Sequence, residues 1–266
     1  MARHTKDCVE VVCFDAIKTL FEPIGTFQEL LARVIREETG IDMAPDELWA
    51  LQQEIRGQFP RSGQDMEDYW PRINYHLLVR LGFTNGDLMK VAKRIHERII
   101  GDGTLYAVRP DMRELVAWAA QRVRAIAIAS NHRQTALLKL LREHDIAECF
   151  GNRIFTSSRV KHPKPSKKFF QAIRRSLGLR HVSQLGLVGN SLENDLPAAH
   201  LGIRTVILDR SGSVAGLQAS LPAGVRAASN TVEVQQWITD VCGLPPDEPV
   251  RQDGDTPATT DGNEPT

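Results

Sequence analysis

The sequence lacks the features that mark most nucleic-acid-binding and membrane proteins. Its 33 Lys and Arg are balanced by 33 Asp and Glu, so the formal net charge is zero. Because binding to nucleic acid is driven mainly by clustered positive charge, this balance argues against that class. No apolar run approaches the roughly 20 residues that a membrane helix needs, and the first residues, MARHTKDC, contain no signal-peptide core. We expect a cytoplasmic protein that binds neither nucleic acid nor membranes.

Cysteine is also scarce, with four in 266 residues. Cys8, Cys13, Cys149 and Cys242 have no spacing typical of metal ligands, and apolar neighbours surround the first three. This pattern predicts free thiols in a reducing compartment. The length and the hydrophobic content of 42% are enough for one α/β core with a smaller second domain.

The most informative stretch that is present is VEVVCFDAIKTL, residues 9–20. Its first part is rich in β-branched and apolar residues and too short for a helix, which predicts a fully buried strand. The strand ends directly in a carboxylate, Asp15. Burying that charge costs several kcal/mol unless it lies at the carboxyl end of the strand, where solvent, metal or ligand can satisfy it. An aspartate that only caps a local turn gives the same pattern. Whether Asp15 is functional therefore depends on which residues follow the later strands.

Residues 23–103 have a helical pattern throughout. Predicted helices begin after Thr26 and after Pro45, and a third covers residues 66–81. The segment from Thr84 to Asp87 resembles a capping box for a fourth helix, which is predicted to end near Gly101. With no strand signal in this block, we predict an all-helical insertion.

From Asp111, predicted to cap the next helix, helices alternate with short strands such as AIAIA at residues 125–129 and RTVIL at residues 204–208. A further helix is predicted from Asp195 to Leu201. Such alternation implies right-handed βαβ crossovers and a parallel sheet covered on both faces.

We therefore predict an α/β fold, a Rossmann-like parallel sheet core with an inserted all-helical cap domain. The core would comprise residues 1–22 and 104–243, and the cap residues 23–103. Residues 244–266, rich in Pro, Asp, Thr and Gly, would form a disordered acidic tail.

Polar side chains follow the predicted strands at one edge of this sheet. Ligands of parallel sheets bind beyond the carboxyl ends of the strands, so these residues are candidates for one site. A carboxylate, a hydroxyl, an ammonium and an amide–acid pair suit an anionic substrate and a divalent metal. The residues are Asp15, Ser130, Asn131, Lys164, Asn190 and Asp195.

Four segments together resemble a known family. FDAIKTL, IASN, Lys164-Pro165 followed by Phe169-Phe170, and VGNSLENDLPAAHLG resemble the four motifs of the haloacid dehalogenase superfamily, in order and with fitting spacing. The helical block resembles the first type of cap in that superfamily. The segment SSRVKHPKP is most similar to the rhythmically-expressed-gene-like branch. The resemblance covers about residues 9 to 210.

The resemblance implies a role for each matching residue. Asp15 would be the nucleophile, which in the phosphatases of the superfamily attacks phosphorus and forms an aspartyl-phosphate. Thr19 would position Asp15, and Ser130 with the adjacent Asn131 would bind the transferring group. Lys164 would neutralise charge around nucleophile and substrate, a small anion that is most simply a phosphate ester. The protein would act as a monomer or homodimer.

The resemblance also implies a Mg²⁺ site, formed by Asp15, the main-chain carbonyl of Ile17, Asn190 and Asp195. Two departures from the family pattern weaken it. Ile17 stands where the phosphatases carry an aspartate that acts as general acid and base, and loss of such a group typically costs 10²- to 10⁴-fold in rate. Asn190 replaces an aspartate, so the site offers less charge to the metal.

Three functions stay open at this point. The first is a Mg²⁺-dependent phosphatase of reduced or specialised activity. The second is a metal-independent 2-haloacid dehalogenase, whose halide leaving group needs no proton. The dehalogenases bind the substrate carboxylate with a cap arginine, and where theirs falls this chain has Ala50, with Arg56 or Arg61 as substitutes. The third is a catalytically degenerate binding or regulatory protein.

Other residues carry weaker signals. His132, two residues after Ser130, could replace the missing acid and base, although a histidine there more often belongs only to the loop. Trp49, Tyr69 and Trp70 could line a substrate entrance in the cap, although aromatics at helical spacing are more often core residues.

Overall fold

The computed structural model describes residues 8–59, 66–211, 216, 218 and 221–245. The strands in these ranges are β1 (Val11–Phe14), β2 (Phe21–Pro23), β3 (Tyr106–Val108), β4 (Ala125–Ser130), β5 (Ile154–Thr156), β6 (Leu185–Gly189), β7 (Arg204–Leu208) and β8 (Val225–Ala228). The α-helices are α1 (Phe27–Thr39), α2 (Pro45–Gln58), α3 (Met66–Arg80), α4 (Leu88–Gly101), α5 (Pro110–Arg122), α6 (Gln134–Glu143), α7 (Ala147–Phe150), α8 (Ser157–Val160), α9 (Lys167–Ser176) and α10 (Thr231–Cys242).

The core is a six-stranded sheet in the order β5-β4-β1-β6-β7-β8, and all neighbouring pairs are parallel. β1 lies in the interior, and its alternate residues face two hydrophobic cores. Val12 and Phe14 belong to one core, whereas Val11 and Cys13 pack in the other, which also contains Phe169 of α9. Burial on both faces explains why β1 reads as a continuous apolar run.

Helices α1 to α4 follow one another between β2 and β3, which pair antiparallel. Thr26 caps α1 through a capping box with Glu29, and Gly40 ends the helix in the left-handed conformation at φ 75°. Pro45 occupies the first turn of α2, where its missing N–H costs nothing. The predicted α/β core with an all-helical insertion is confirmed, while the domain boundaries at residues 22/23 and 103/104 stay predictions.

Two local predictions are wrong. Asp87, not Thr84, caps α4, because its carboxylate directly precedes the helix and accepts the N–H groups of Met89 and Lys90. Asp111 lies inside the first turn of α5, and its carboxylate binds arginine side chains instead of capping the helix. The helix predicted from Asp195 to Leu201 is present, as a 3₁₀ helix over Leu196–Leu201.

The predicted tail lies outside the described residues from position 246 onward. Among the helices that the structure describes, none has both the length and the apolar character that a membrane crossing would require.

Candidate active site

The candidate residues gather where three neighbouring strands end. Asp15 directly follows β1, and its N–H donates to the carbonyl of Val188 in β6 at 2.8 Å. Ser130 is the last residue of β4, and Asn190 directly follows β6. Because β4, β1 and β6 are adjacent and parallel, their carboxyl ends bring these side chains to one place.

Lys164 joins the two carboxylates of the site. Its Nζ lies 2.7 Å from Oδ1 of Asp15 and 2.6 Å from Oδ1 of Asp195. All three side chains are buried, and Asp195 is 0% exposed. Charge-assisted hydrogen bonds of this length are strong, and they fix the position of the Asp15 carboxylate.

The second oxygen of Asp195 is also engaged. Its Oδ2 accepts the main-chain N–H groups of Asn190 at 3.1 Å and Ser191 at 3.0 Å. A Cβ atom added at Gly189 would lie only 2.4 Å from Cγ of Asp195. The turn after β6 therefore needs glycine at this position so that the carboxylate can approach the main chain.

Asn131 holds the loop that carries Lys164. Its Oδ1 accepts the main-chain N–H of Lys164 at 2.7 Å, and its Nδ2 donates to the Lys164 carbonyl at 3.1 Å. The hydroxyl of Ser157 donates to the Asn131 carbonyl at 3.0 Å. In this arrangement the amide of Asn131 positions the lysine, a contact that the strand pattern does not reveal.

Thr19 and Ser130 are both buried. The hydroxyl of Thr19 donates to Oδ1 of Asn190 at 3.3 Å, which links the loop after β1 to the loop after β6. Oγ of Ser130 accepts the N–H of His132 at 3.3 Å, and Ser130 lines the same cavity as Asp15.

The protonation states suit a nucleophilic carboxylate. Burial raises the pKa of Asp15 to about 6, with Lys164 opposing the shift and Asp195 adding to it. For Lys164, burial alone would lower the pKa, but the two carboxylates outweigh burial and raise it. At neutral pH, therefore, Asp15 is mostly ionised and Lys164 is charged.

The oxygens available for Mg²⁺ are few. Among the described residues, no group of three His, Cys, Asp or Glu side chains could hold a metal ion. Both oxygens of Asp195 are occupied by Lys164 and main-chain N–H groups. Asp15, Ile17 and Asn190 line one cavity, but Oδ1 of Asp15 accepts from Lys164 and Oδ1 of Asn190 accepts from Thr19, so these two oxygens are shared as well. Because Mg²⁺ can be bound by one carboxylate together with substrate phosphate and water, these residues fit a weakly held ion.

The cavity has a volume of about 410 Å³ and lies between the sheet edge and helices α1 to α4. Ile17 lines it, so no carboxylate stands at the usual general-acid position. His132 also lines it, and its buried Nε2 has no hydrogen-bond partner among the described residues. Burial lowers the pKa of His132 to about 4, although a hydrogen bond with the main chain of Ile100 has the opposite effect on this pKa. The imidazole is therefore neutral at physiological pH.

Two polar residues of the cavity, Gln52 on α2 and Asn74 on α3, were not identified from the sequence. Arg56, Trp49 and Trp70, which were candidates, line the same cavity. A signal for Gln52 was present, since it lies at helical spacing between the buried Leu48 and Ile55. A polar residue on the apolar face of a helix is a candidate for a functional role, because such positions are usually apolar.

Comparisons with known proteins agree with this geometry. The HAD-hydrolase YfnB from Bacillus subtilis, bound to magnesium, superposes with a TM-score of 0.70 at 16% identity, covering 87% of this chain and 99% of that one. A HAD family hydrolase from Deinococcus radiodurans R1 with bound phosphate and sodium superposes with a TM-score of 0.62 at 20% identity, covering 91% of this chain and 100% of that one. L-2-haloacid dehalogenase from Xanthobacter autotrophicus superposes with a TM-score of 0.62 at 16% identity, covering 86% of this chain and 98% of that one.

At these identities the structural likeness shows the fold. A search of curated proteins gave no match. The sequence profile of the haloacid dehalogenase-like hydrolases, however, matches residues 9–201, which include Asp15, Lys164, Asn190 and Asp195. The chain therefore belongs to the haloacid dehalogenase-like hydrolases.

Proposed function

We propose that this hydrolase is a phosphatase that acts on a small phosphate ester through an aspartyl-phosphate intermediate. The observation that carries the proposal is the buried Asp15 carboxylate, fixed by Lys164 at the end of a cavity of about 410 Å³. That cavity has room for a leaving group beyond the phosphoryl group. The phosphate in the Deinococcus radiodurans relative and the magnesium in YfnB are further support.

The first step is attack of an Asp15 oxygen on phosphorus, with cleavage of the bond to the leaving oxygen. Lys164 keeps the carboxylate aligned, and its charge, with the Ser130 hydroxyl, stabilises the phosphoryl oxygens. A bound Mg²⁺ would neutralise further phosphoryl charge. Water then attacks the phosphorus of the aspartyl-phosphate, releasing phosphate and restoring Asp15.

Ile17 cannot give the leaving oxygen a proton, so water in the cavity must do so. Esters with good leaving groups need little help of this kind, whereas alkyl esters need much more. We therefore expect activity that depends strongly on the leaving group.

The test is hydrolysis of para-nitrophenyl phosphate by the wild type and by Asp15→Asn, each with and without Mg²⁺. The proposal predicts turnover that needs Mg²⁺ and falls about 10³-fold or more in the variant, because the nucleophile is lost. Wild-type turnover no higher than that of Asp15→Asn would contradict it.

A second candidate is a 2-haloacid dehalogenase, in which Asp15 displaces halide from carbon. Ile17 favours it, since halide needs no proton, and the fully engaged Asp195 leaves little charge for a metal. Ala50 is exposed, Arg61 lies outside the described residues, and Arg56 lines the cavity. Release of chloride from 2-chloropropionate in metal-free buffer would support this candidate. If neither substrate is turned over, the degenerate binding protein becomes the better account.

A further inference from the structure

Two carboxamide side chains are buried in the helical part of the cavity wall. Gln52 on α2 is 4% exposed and Asn74 on α3 is 2% exposed, and both line the cavity that contains Asp15. Burying a carboxamide is costly unless its donors and acceptors are satisfied. Two such residues on one wall therefore need a partner, a ligand or water.

The protein itself satisfies these amides poorly. Nε2 of Gln52 lies 3.5 Å from Oδ1 of Asn74, and Nδ2 of Asn74 lies 3.5 Å from the carbonyl of Ala92. Both distances exceed the usual range for N–H···O bonds. The contact that the Gln52 side chain makes with Asn74 uses only its Nε2 atom. Each carboxamide offers two N–H donors and two acceptor positions, so both donor and acceptor capacity is left for a ligand.

The surroundings of the two amides indicate what kind of ligand fits. Trp49, Trp70 and Phe27 line the same cavity, and the guanidinium of Arg56 lies 5.2 Å from the centre of the Trp70 ring. The acids that line the cavity among the described residues come from the sheet core, none from the helices. Flat apolar surfaces beside neutral donors and acceptors suit a group that combines C–H faces with hydroxyls.

We infer that Gln52 and Asn74 form a subsite for a hydroxyl group on the leaving group, which makes polyol phosphates the preferred class among alkyl phosphate esters. A hydroxyl both donates and accepts, so it can bind the Gln52 oxygen and an amide N–H together. The inference rests on the proposed phosphatase function. It goes beyond that function by assigning the leaving group and the residues that select it.

The test compares glycerol 1-phosphate with propyl phosphate, which has the same carbon chain without the two hydroxyls. The wild type is expected to favour glycerol 1-phosphate in kcat/KM by about 10-fold, as expected for one or two neutral hydrogen bonds. Gln52→Met and Asn74→Leu keep the side-chain size and remove the amide, so each is expected to lower this ratio about 5-fold, chiefly through KM. The ratio cancels any general loss of activity, because both esters use the same chemistry.

Gln58→Met is the matched control, since Gln58 lies on the same helix with an exposed side chain. It should leave the ratio unchanged. The inference is overturned if the wild type shows no preference, or if neither Gln52→Met nor Asn74→Leu changes the ratio. Absence of wild-type turnover with para-nitrophenyl phosphate would instead overturn the proposed phosphatase function, and the subsite with it.

Discussion

In the proposed phosphatase mechanism, Ile17 limits the range of esters that the site can hydrolyse. It is the cavity residue two positions after Asp15, and its side chain cannot donate a proton. Ile17→Asp is expected to increase hydrolysis of alkyl phosphates by about 10²-fold, because a positioned acid then protonates the leaving oxygen. Turnover of para-nitrophenyl phosphate should change much less. Steady-state kinetics with both esters measures the difference.

Ile17→Asn is the control for this substitution, since it adds a polar side chain that cannot transfer a proton. If Asn accelerates alkyl ester hydrolysis as much as Asp does, or if Asp gives no acceleration, the absent proton donor is not what limits the wild type.

Residue types and spacing predicted the members of the site but not their contacts. Asp15, Ser130, Lys164 and Asp195 follow strands whose ends must meet in a parallel sheet, so their proximity was predictable. That Asn131 holds the main chain of Lys164 depends on loop conformation, which periodicity does not encode.

The turn after β6 depends on the absence of a Cβ atom at Gly189, the last residue of β6. Gly189→Ala places a Cβ against Asp195, so the carboxylate or the turn must move. We expect the free energy of unfolding to fall by about 1–3 kcal/mol, the usual cost of overpacking, together with activity. Chemical denaturation measures the first quantity.

Gly57→Ala provides the comparison for this variant, because Gly57 lies in α2 with open space around the added Cβ. There, alanine should leave stability unchanged or raise it by up to about 1 kcal/mol. Equal effects at the two positions would argue against a special role for Gly189.

Helix α4 contributes a pH-sensitive element. Burial lowers the pKa of His96 to about 3, and the charges of His132 and Arg133 add to this effect. The unfolded chain binds a proton on this histidine below about pH 6.5, whereas the folded protein does not until about pH 3. The contribution of neutral His96 to the free energy of unfolding is therefore complete above pH 6.5 and is lost progressively as the pH falls.

His96→Phe is expected to reduce the loss of stability between pH 6.5 and pH 4, because it removes the group that must be protonated on unfolding. Urea denaturation across this pH range measures the effect. The exposed His200→Gln is the control. A wild-type slope that survives in His96→Phe would show that other groups dominate acid unfolding.

At the level of elements, long periodic segments were predictable and short ones were not. Helix α1 carries a capping box, an apolar face and a terminal glycine, three signals that agree. Strands β2 and β3 have three residues each, too few for a period to be recognised, and they form only through pairing with each other. β8 and α10 were also not identified, although α10 buries Val234, Trp237 and Ile238 at helical spacing.

At the scale of the molecule, the site is shared between the sheet and the helical insertion. The sheet core supplies Asp15 and Lys164, and α2 and α3 supply Gln52, Asn74 and the rings of Trp49 and Trp70. Arg133 and Glu97 form an ion pair at 3.0 Å between the core and α4. The order of elements predicted the two parts, but which insertion residues face Asp15 depends on helix packing, so the substrate could not be inferred from the sequence.

The central claim is that Asp15 attacks phosphorus. It is tested most directly by acid quenching of the enzyme during turnover of para-nitrophenyl phosphate, followed by mass spectrometry of the peptide that contains Asp15. The account predicts that this peptide gains the mass of one phosphoryl group in the wild type and gains nothing in Asp15→Asn. Wild-type release of phosphate with no phosphoryl group on that peptide, or a phosphoryl group on a different residue, would contradict it.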